Sequence, residues 1–407
     1  MELFGYQKAS VDFISPRPMS ILAHEPGLGK SAIALSAATT PALIVCPASL
    51  LVNWKREVEL WRDADKDSFE VVTYGDKKLQ AILKTNTCPW STLIIDEFHF
   101  IKNPQAARTK KVCSLIRRVG TRPNGKVIAI SGTPIPNRPI EIWPLLYSMK
   151  ITPMKYEQFG YRYAKAHYNH WGKFDVTGAD NLEELSELMR PHTIRYTKKQ
   201  VMPELPPKTW RVVALDLPEG KKEKLFSKDD LDKMDAEVAF EAMADVLHIQ
   251  GLRKVPLAVE HISNILESGS KAVVLTHHRD VLEQLVEGLA PWSPVFIHGG
   301  ISPTQRQARA DQFQTDQSVR VFIGQTQTAN VGLNLTAASH VVFVEASWVP
   351  GVLEQGSDRA HRIGTKDNIT VDLLTLHRSI DEHQLFKVLG KMEVIEKIIP
   401  NTKIFPQ

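Results

Sequence analysis

Along the first 150 residues, short unbroken apolar runs alternate with stretches in which apolar side chains recur every three or four positions. Residues 20–23, 42–46, 71–73, 93–95 and 127–130 are runs bounded by Pro, Gly, Asn or an acidic residue, the pattern of strands buried on both faces. Residues 30–38, 50–61 and 105–119 carry the helical period between them. This β-α-β alternation predicts a doubly wound parallel sheet. A second series begins near Lys271, with strands expected at 272–276, 295–297, 319–323, 340–344 and 369–374. The expected fold class is α/β with two lobes. Residues 150–255 differ, being aromatic and basic first, then marked by Pro203, Pro206 and Pro207, then charged over 219–241. The prolines disfavour helix and suggest a crossing or hinge.

A chain of 407 residues with 43 % hydrophobic residues and 22 glycines is long and apolar enough to bury sizeable cores, which excludes a disordered tail or a small stapled module. It has neither an uninterrupted apolar stretch of membrane-spanning length nor a basic start followed by an apolar run, so no membrane association or secretion is expected. Cys46, Cys88 and Cys113 stand far apart without a C-x-x-C pair, which argues against disulfides or a structural zinc and for a reducing compartment. His167 and His170, three apart and able to share a helix face, have no further ligands nearby, so no metal is expected there.

Fifty basic against 46 acidic residues give a net charge of +4, too little to name a partner. The distribution says more. Residues 101–126 hold eight basic side chains and no acid, and residues 150–208 hold ten basic against seven acidic, interleaved with Tyr156, Tyr161, Tyr163, Tyr168 and Trp171. That stretch reads two ways: side chains that track a phosphate backbone and stack on bases, or the solvated faces of ordinary helices.

Chemistry enters at Pro26-Gly27-Leu28-Gly29-Lys30-Ser31, which runs from a predicted strand into a predicted helix. A Gly-rich turn at that place turns backbone N–H groups and a helix N-terminus toward a polyphosphate. Lys30 is then positioned for the β- and γ-phosphates and the Ser31 hydroxyl for Mg²⁺. The strict phosphate-loop pattern has glycine where His24 stands. Further along, Asp96, Glu97 and His99 follow a buried apolar strand. Ligands of open α/β sheets bind outside the carboxyl ends of the strands, so Asp96 is expected to hold Mg²⁺ and Glu97 to orient and deprotonate the attacking water.

In this order the motifs resemble a superfamily-two helicase motor of the Swi/Snf double-stranded DNA translocase type. Phe4-Gly5-Tyr6-Gln7 resembles the adenine-reading element, which implies that Tyr6 and Gln7 meet the base. Residues 43–54, ending in Asn53-Trp54, resemble the first DNA-contacting motif. Ile101-Lys102-Asn103 and the stretch from Ser131 through Gly132 and Thr133 to Asn137 also fit. In the second half, Gly332-Leu333-Asn334-Leu335 and the run from Gln355 to Gly364, with Asp358-Arg359-Ala360-His361-Arg362, are the most specific pieces. Leu205-Pro206-Pro207-Lys208, Thr276-His277-His278, Asn330-Val331-Gly332 and Pro350-Gly351 resemble the HepA-related annealing-helicase branch.

The resemblance implies two RecA-like doubly wound parallel-sheet lobes with a helical protrusion between them: a first ATPase lobe over 1–150, the protrusion over 151–210, a linker and short second protrusion over 211–255, and a second lobe over 256–407. It implies ATP and Mg²⁺ as cofactors and double-stranded or branched DNA as partner of a monomeric motor. Arg359 and Arg362, with Gln355 on the same expected helix face, are the arginines offered to the γ-phosphate. His99, Ser131 and Thr133 couple hydrolysis to movement, and Ser49, Asn53, Lys102, Thr276, His278 and Thr328 contact DNA. A strand-separating DNA or RNA helicase, and an ATP-gated DNA-binding scaffold without turnover, are the competing functions. His24, Phe98, Val349 and Thr365 depart from the family pattern, which usually has Asp, a small residue, Asn and Gln there. The motifs fill the chain from Phe4 to near Leu376, a motor reduced to its core, expected to be soluble and intracellular in the cytoplasm or nucleoid of a bacterium or phage-infected cell.

Overall fold

The computed structural model describes residues 2–85, 88–135, 137–170, 172–217, 236–329, 333–362, 365, 367–377 and 379–398. Trp171, most of the charged segment, Asn330-Val331-Gly332 and Ile363-Gly364 lie outside the described residues. The chain divides into two compact units, Met1–Pro203 with Lys391–Gln407, and Glu204–Gly390.

The first unit contains β1 (Met19–Leu22), β2 (Ala42–Cys46), β3 (Phe69–Thr73), β4 (Thr92–Asp96), β5 (Lys126–Ile130), a short hairpin β6 (His167–Tyr168) and β7 (Phe174–Asp175), and β8 (Thr193–Ile194). Its sheet has the order β3-β2-β4-β5-β1-β8, with every neighbouring pair parallel. All five residues of β2 and of β4 are buried, as their unbroken apolar runs require when helices cover both faces. Each fully buried Leu, Ile or Val contributes about 1.5–3 kcal/mol. The register aligns the strand ends, with Leu22 opposite Ile130 and Ile130 opposite Asp96. The chain therefore leaves β1, β5 and β4 at one level, side by side.

The segment expected as a helical protrusion is helical over Tyr156–Tyr163 and Leu182–Met189, but it belongs to the first unit's core. Phe159, Tyr163, Leu185 and Met189 are buried in that core, and β8 extends the sheet beside β1. His167 lies on the hairpin strand β6 and not on a helix face. Val394, Ile395 and Ile398 also pack against this core, so Lys391–Ile398 group with it.

The second unit has β9 (Lys208–Leu215), β10 (Ala272–Thr276), β11 (Val295–Ile297), β12 (Val321–Gln325), β13 (His340–Phe343) and β14 (Ile369–Leu376), again all parallel, in the order β11-β12-β10-β13-β14-β9. Two expected boundaries move. Residues 208–215 were expected to close a protrusion and open a linker, yet they form a whole edge strand, paired with β14 from Lys208 opposite Ile369 to Leu215 opposite Leu376. Pro206 and Pro207 stand just before it, where their missing N–H removes no ladder bond. The helix Ala236–Glu267 runs through the expected break at 255/256 with the exposed Pro256 inside it, held by Val255, Ala258, Ile262 and Leu266 against the sheet.

Cys46 and Cys113 are buried and Cys88 half-buried, all three as free thiols. Among the described residues, no helix is long and apolar enough to cross a membrane. If the middle segment is core, Phe159→Ala lowers stability in urea unfolding by about 3–5 kcal/mol, while Tyr161→Ala on the exposed face of the same helix changes it by less than about 1 kcal/mol.

Candidate active site

After β1 the chain turns through Pro26-Gly27-Leu28-Gly29 into the helix Lys30–Ala37. Gly27 and Gly29 have φ of 88° and 69°, the left-handed region that glycine enters without cost. A Cβ on Gly29 would overlap the Gln7 side-chain amide. Tyr6 Oη and Gln7 Nε2 both donate to the Leu28 carbonyl, at 3.3 and 3.4 Å, so the helix Gly5–Ile14 delivers this pair to the turn. Lys30 Nζ donates to the carbonyls of His24 (2.9 Å) and Glu25 (3.0 Å), and Ser31 follows half-buried in the first helical turn. From the neighbouring strand end, Gly132 lies against Pro26 and Lys30, a Cβ on it falling 3.4 Å from Lys30 Nζ.

His24, the departure from the phosphate-loop pattern, is fully buried. The Tyr196 N–H donates to its Nδ1 (3.0 Å), which leaves the proton on Nε2 to be donated to Ser10 Oγ (2.8 Å); Ser10 in turn donates to the Tyr6 carbonyl (2.7 Å). One imidazole thus ties together β1, the segment after β8 and the helix that carries Tyr6 and Gln7. Burial, then the nearby charges of Lys30 and Arg195, push its pKa down to about 3. It is neutral at neutral pH.

At the end of β4, Glu97 has φ 50° and ψ 53°, a left-handed conformation unusual for a residue with a Cβ. Tyr74 Oη holds that corner by donating to the carbonyls of Asp96 (2.8 Å) and Glu97 (3.4 Å). The Trp54 indole N–H donates to Asp96 Oδ2 at 2.7 Å. Ser131 Oγ donates to Glu97 Oε2 (3.0 Å), His99 Nδ1 lies 3.2 Å from the same oxygen, and the Thr133 N–H donates to Ser131 Oγ (3.1 Å). Burial and then the charge of Glu97 raise Asp96 to about 7. Burial acts on Glu97 in the same sense but is outweighed by His99, Lys30 and Ser131, which hold it at about 2.

The structure thus brings together Tyr6, Gln7, the turn, Lys30, Asp96, Glu97, His99, Ser131 and Thr133 in one unit. The donor set fits ATP and Mg²⁺: an ammonium beside a turn whose left-handed glycines leave backbone bare, with a hydroxyl and a carboxylate as hard oxygen ligands.

In the second unit the expected single helix face is not formed. The helix Pro350–Ser357 stops before Arg359 and Arg362, which lie in the turn after it. Contacts distant in sequence end it there. Lys208 Nζ donates to Glu354 (2.8 Å), Ser357 (3.2 Å) and Asp358 (3.0 Å), and His361 Nε2 lies 2.7 Å from the Pro206 carbonyl. Thr365 Oγ1 accepts from the Arg362 N–H (3.0 Å), and Arg362 Nε donates to the Asp358 carbonyl (3.0 Å). Burial lowers the pKa of Lys208 on its own account, but Asp358 and Glu354 outweigh it and raise it. Gln355 remains on the helix.

The expected DNA contacts divide. Asn53 is exposed, Lys102 is half-exposed 3.5 Å from Glu141, and Ser49 lies in the turn Ala48–Leu50. Thr276 and Thr328 are buried. Thr276 donates its hydroxyl to the buried Glu345, which also accepts the backbone N–H groups of His277 (2.8 Å) and His278 (2.9 Å) and has His278 Nδ1 at 2.6 Å. Sequence reasoning missed Tyr74, Ser10 and Glu345, and named Trp54 and Lys208 only within motifs, without the bonds they make here. Only Glu345 left a signal, an acid ending the apolar run Val341–Val344.

Two doubly wound units, one with a phosphate-type turn beside an acidic pair, define the class of two-lobed P-loop proteins. The family model described as SNF2-related domain matches residues 6–87 and 67–265, and that described as helicase conserved C-terminal domain matches residues 257–364. The chain belongs to the SNF2-related family, as its motifs implied. It is 30 % identical over 427 residues to the DNA annealing helicase and endonuclease ZRANB3 of Mus musculus, covering 93 % of this chain and 39 % of that protein. It is 31 % identical over 440 residues to the SWI/SNF-related matrix-associated actin-dependent regulator of chromatin subfamily A-like protein 1 homolog of Caenorhabditis elegans, covering 99 % and 63 %. The chain therefore spans less than two thirds of the length of either relative. The solved Sulfolobus solfataricus SWI2/SNF2 ATPase core in complex with dsDNA aligns with a TM-score of 0.44 at 22 % identity, covering 99 % of this chain and 98 % of that one.

The buried charges set two measurable stabilities. The unfolded chain protonates His24 below about pH 6.5, the folded chain only near pH 3, so the stability this residue governs is complete above pH 6.5 and is lost as pH falls through that window. Between pH 7.5 and 5.0 the wild type should lose up to about 2 kcal/mol more than His24→Asn in urea unfolding. Lys208→Met leaves Glu354 and Asp358 without their cation and should cost about 3–5 kcal/mol, read as an earlier transition of the second unit by hydrogen exchange.

Proposed function

We propose that the chain is an ATP-hydrolysing motor that moves along double-stranded or branched DNA and remodels it by annealing, by fork or branch remodelling, or by displacing bound protein. The observation that carries the hydrolytic half is the Glu97 carboxylate, held by Ser131 and His99 next to Asp96 and in the same site as Lys30. The DNA half is supported by membership of the SNF2-related family and by relatives named for DNA annealing.

In this reading Tyr6 and Gln7 meet the base, the turn from Pro26 to Gly29 and the Lys30 ammonium take the phosphates, and Ser31 and Asp96 hold the metal. Bound Mg²⁺ supplies charge neutralisation on the phosphate oxygens. Glu97 is ionised at working pH and orients the water. Because Ser131 and His99 hold it as a weak base, accepting the water's proton requires them to loosen. That requirement gives His99, Ser131 and Thr133 their coupling role, since the Thr133 N–H grips Ser131. Arg359 and Arg362, shaped by the Lys208 turn and preceded by Gln355, are the groups that stabilise charge on the transferred phosphoryl. Ser49, Asn53, Lys102, Thr276, His278 and Thr328 are the candidate DNA contacts, all toward the phosphate backbone and without base readout.

Glu97→Gln should bind ATP as the wild type does and hydrolyse it about 10²–10⁴-fold more slowly. Wild-type ATPase should rise most with duplex or forked DNA, less with single strands and least with RNA, and the rise should weaken as salt increases. A clear preference for single strands or RNA would overturn the translocase reading.

A further inference from the structure

The helix Leu51–Trp61 is fixed to the nucleotide site at two points. Trp54, 1 % exposed, donates its indole N–H to Asp96 Oδ2 at 2.7 Å. Past the other end, Arg62 Nη1 donates to the carbonyls of Leu35 (2.6 Å) and Ala38 (3.1 Å), at the last turn of the helix that begins with Lys30. The helix exposes Val52, Asn53, Lys55, Arg56, Glu59 and Leu60 to solvent, while Trp54 and Val58 are buried. One rigid element therefore carries an exposed basic and amide face on one side and a hydrogen bond to the acid on the other.

The choice of donor is informative. A ring that only filled space there need not carry a polar atom. An indole N–H is donor only and cannot titrate, so it fixes the rotation of the carboxylate and favours the ionised form that burial opposes. Partners of metal-holding side chains act in this way, by orientation.

We propose that Trp54 is a positioning residue: it sets the Asp96 carboxylate for Mg²⁺, and it passes load on the face formed by Asn53, Lys55 and Arg56 to that acid. The inference rests on the reading that Asp96 holds the metal of ATP and that this face meets the DNA backbone.

The test uses Trp54→Phe in the full chain, which keeps an aromatic ring but removes the N–H and some buried volume, beside Val58→Ala as a control for lost volume on the same helix. The Mg²⁺ concentration that half-saturates binding of a fluorescent ATP analogue should rise about 10-fold or more in Trp54→Phe and stay unchanged in Val58→Ala, while analogue binding in excess chelator is equal in both. The ratio of duplex-stimulated to basal hydrolysis should fall several-fold in Trp54→Phe alone. In the unaltered chain with ¹⁵N-labelled tryptophan, the Trp54 indole N–H resonance, assigned through Asp96→Asn, should shift on adding Mg²⁺ with the analogue and again on adding duplex. This measurement needs no altered helix to fold. A Mg²⁺ requirement within two-fold of wild type together with an unmoved resonance overturns the positioning role. A raised Mg²⁺ requirement with an unchanged stimulation ratio overturns the transmission of load. If the unaltered chain hydrolyses ATP without any response to DNA, the proposed function fails, and the Mg²⁺ titration still decides the link between Trp54 and Asp96.

Discussion

Asp96 and Glu97 place two carboxyl groups side by side where a fully buried strand ends, and two adjacent ionised acids in that setting repel each other strongly. The surroundings divide them. Glu97 is held ionised by His99, Lys30 and Ser131 against its burial, while for Asp96 burial and the Glu97 charge outweigh the Trp54 indole N–H and Lys30 and raise it. Two adjacent acids shifted in opposite directions give the site a chemical asymmetry built from neighbours alone. The left-handed corner at Glu97 is the geometric counterpart, since it turns the second carboxylate out of the strand direction and toward β5. Tyr74, bonded to both carbonyls of that corner, keeps it from relaxing.

The second unit solves a related problem differently. Glu345 is buried after β13, and its charge is met by two backbone N–H groups, the Thr276 hydroxyl and His278. Burial by itself would raise its pKa; these donors bring it to about 2. The acid thereby fixes the loop after β10. Lys208 does the same for the arginine turn from the opposite sign, gathering two acids that would otherwise repel at the end of one helix.

Most of the strands were legible as apolar runs because parallel sheets covered on both faces leave no other pattern. The acidic pair and the Gly-rich turn were legible because their chemistry is local in sequence. What escaped was non-local. β9 alternates imperfectly, with Val212 exposed, and gains its place from pairing with β14, far along the chain. The arginine segment has helical spacing, yet Lys208 and Pro206 end the helix early from a distance that no window on the sequence spans. Trp54 and Tyr74 look like ordinary core residues, and their polar atoms find Asp96 only once β2, β3 and β4 are aligned. The partner of Thr276 was equally non-local, since its hydroxyl donates to Glu345 from the neighbouring strand end.

The departures from the family pattern are best understood as exchanges of one bonding scheme for another. Thr365 bonds the Arg362 N–H from a position where a longer amide is usual, so the turn keeps a cap of shorter reach. Phe98 is 2 % exposed and adds a large ring to the core beneath the acids, where a small residue would leave space to be filled. His24 is the most telling. A carboxylate there would lie near the Lys30 ammonium and offset part of its charge. An imidazole held neutral by burial ties the turn instead, accepting from Tyr196 and donating to Ser10, and adds no charge of its own. Lys30, whose ammonium donates to the His24 and Glu25 carbonyls, therefore has no acid at position 24 to compete for its charge. The substitution that weakens the motif as a pattern leaves the electrostatics of the turn at least as favourable to an anion.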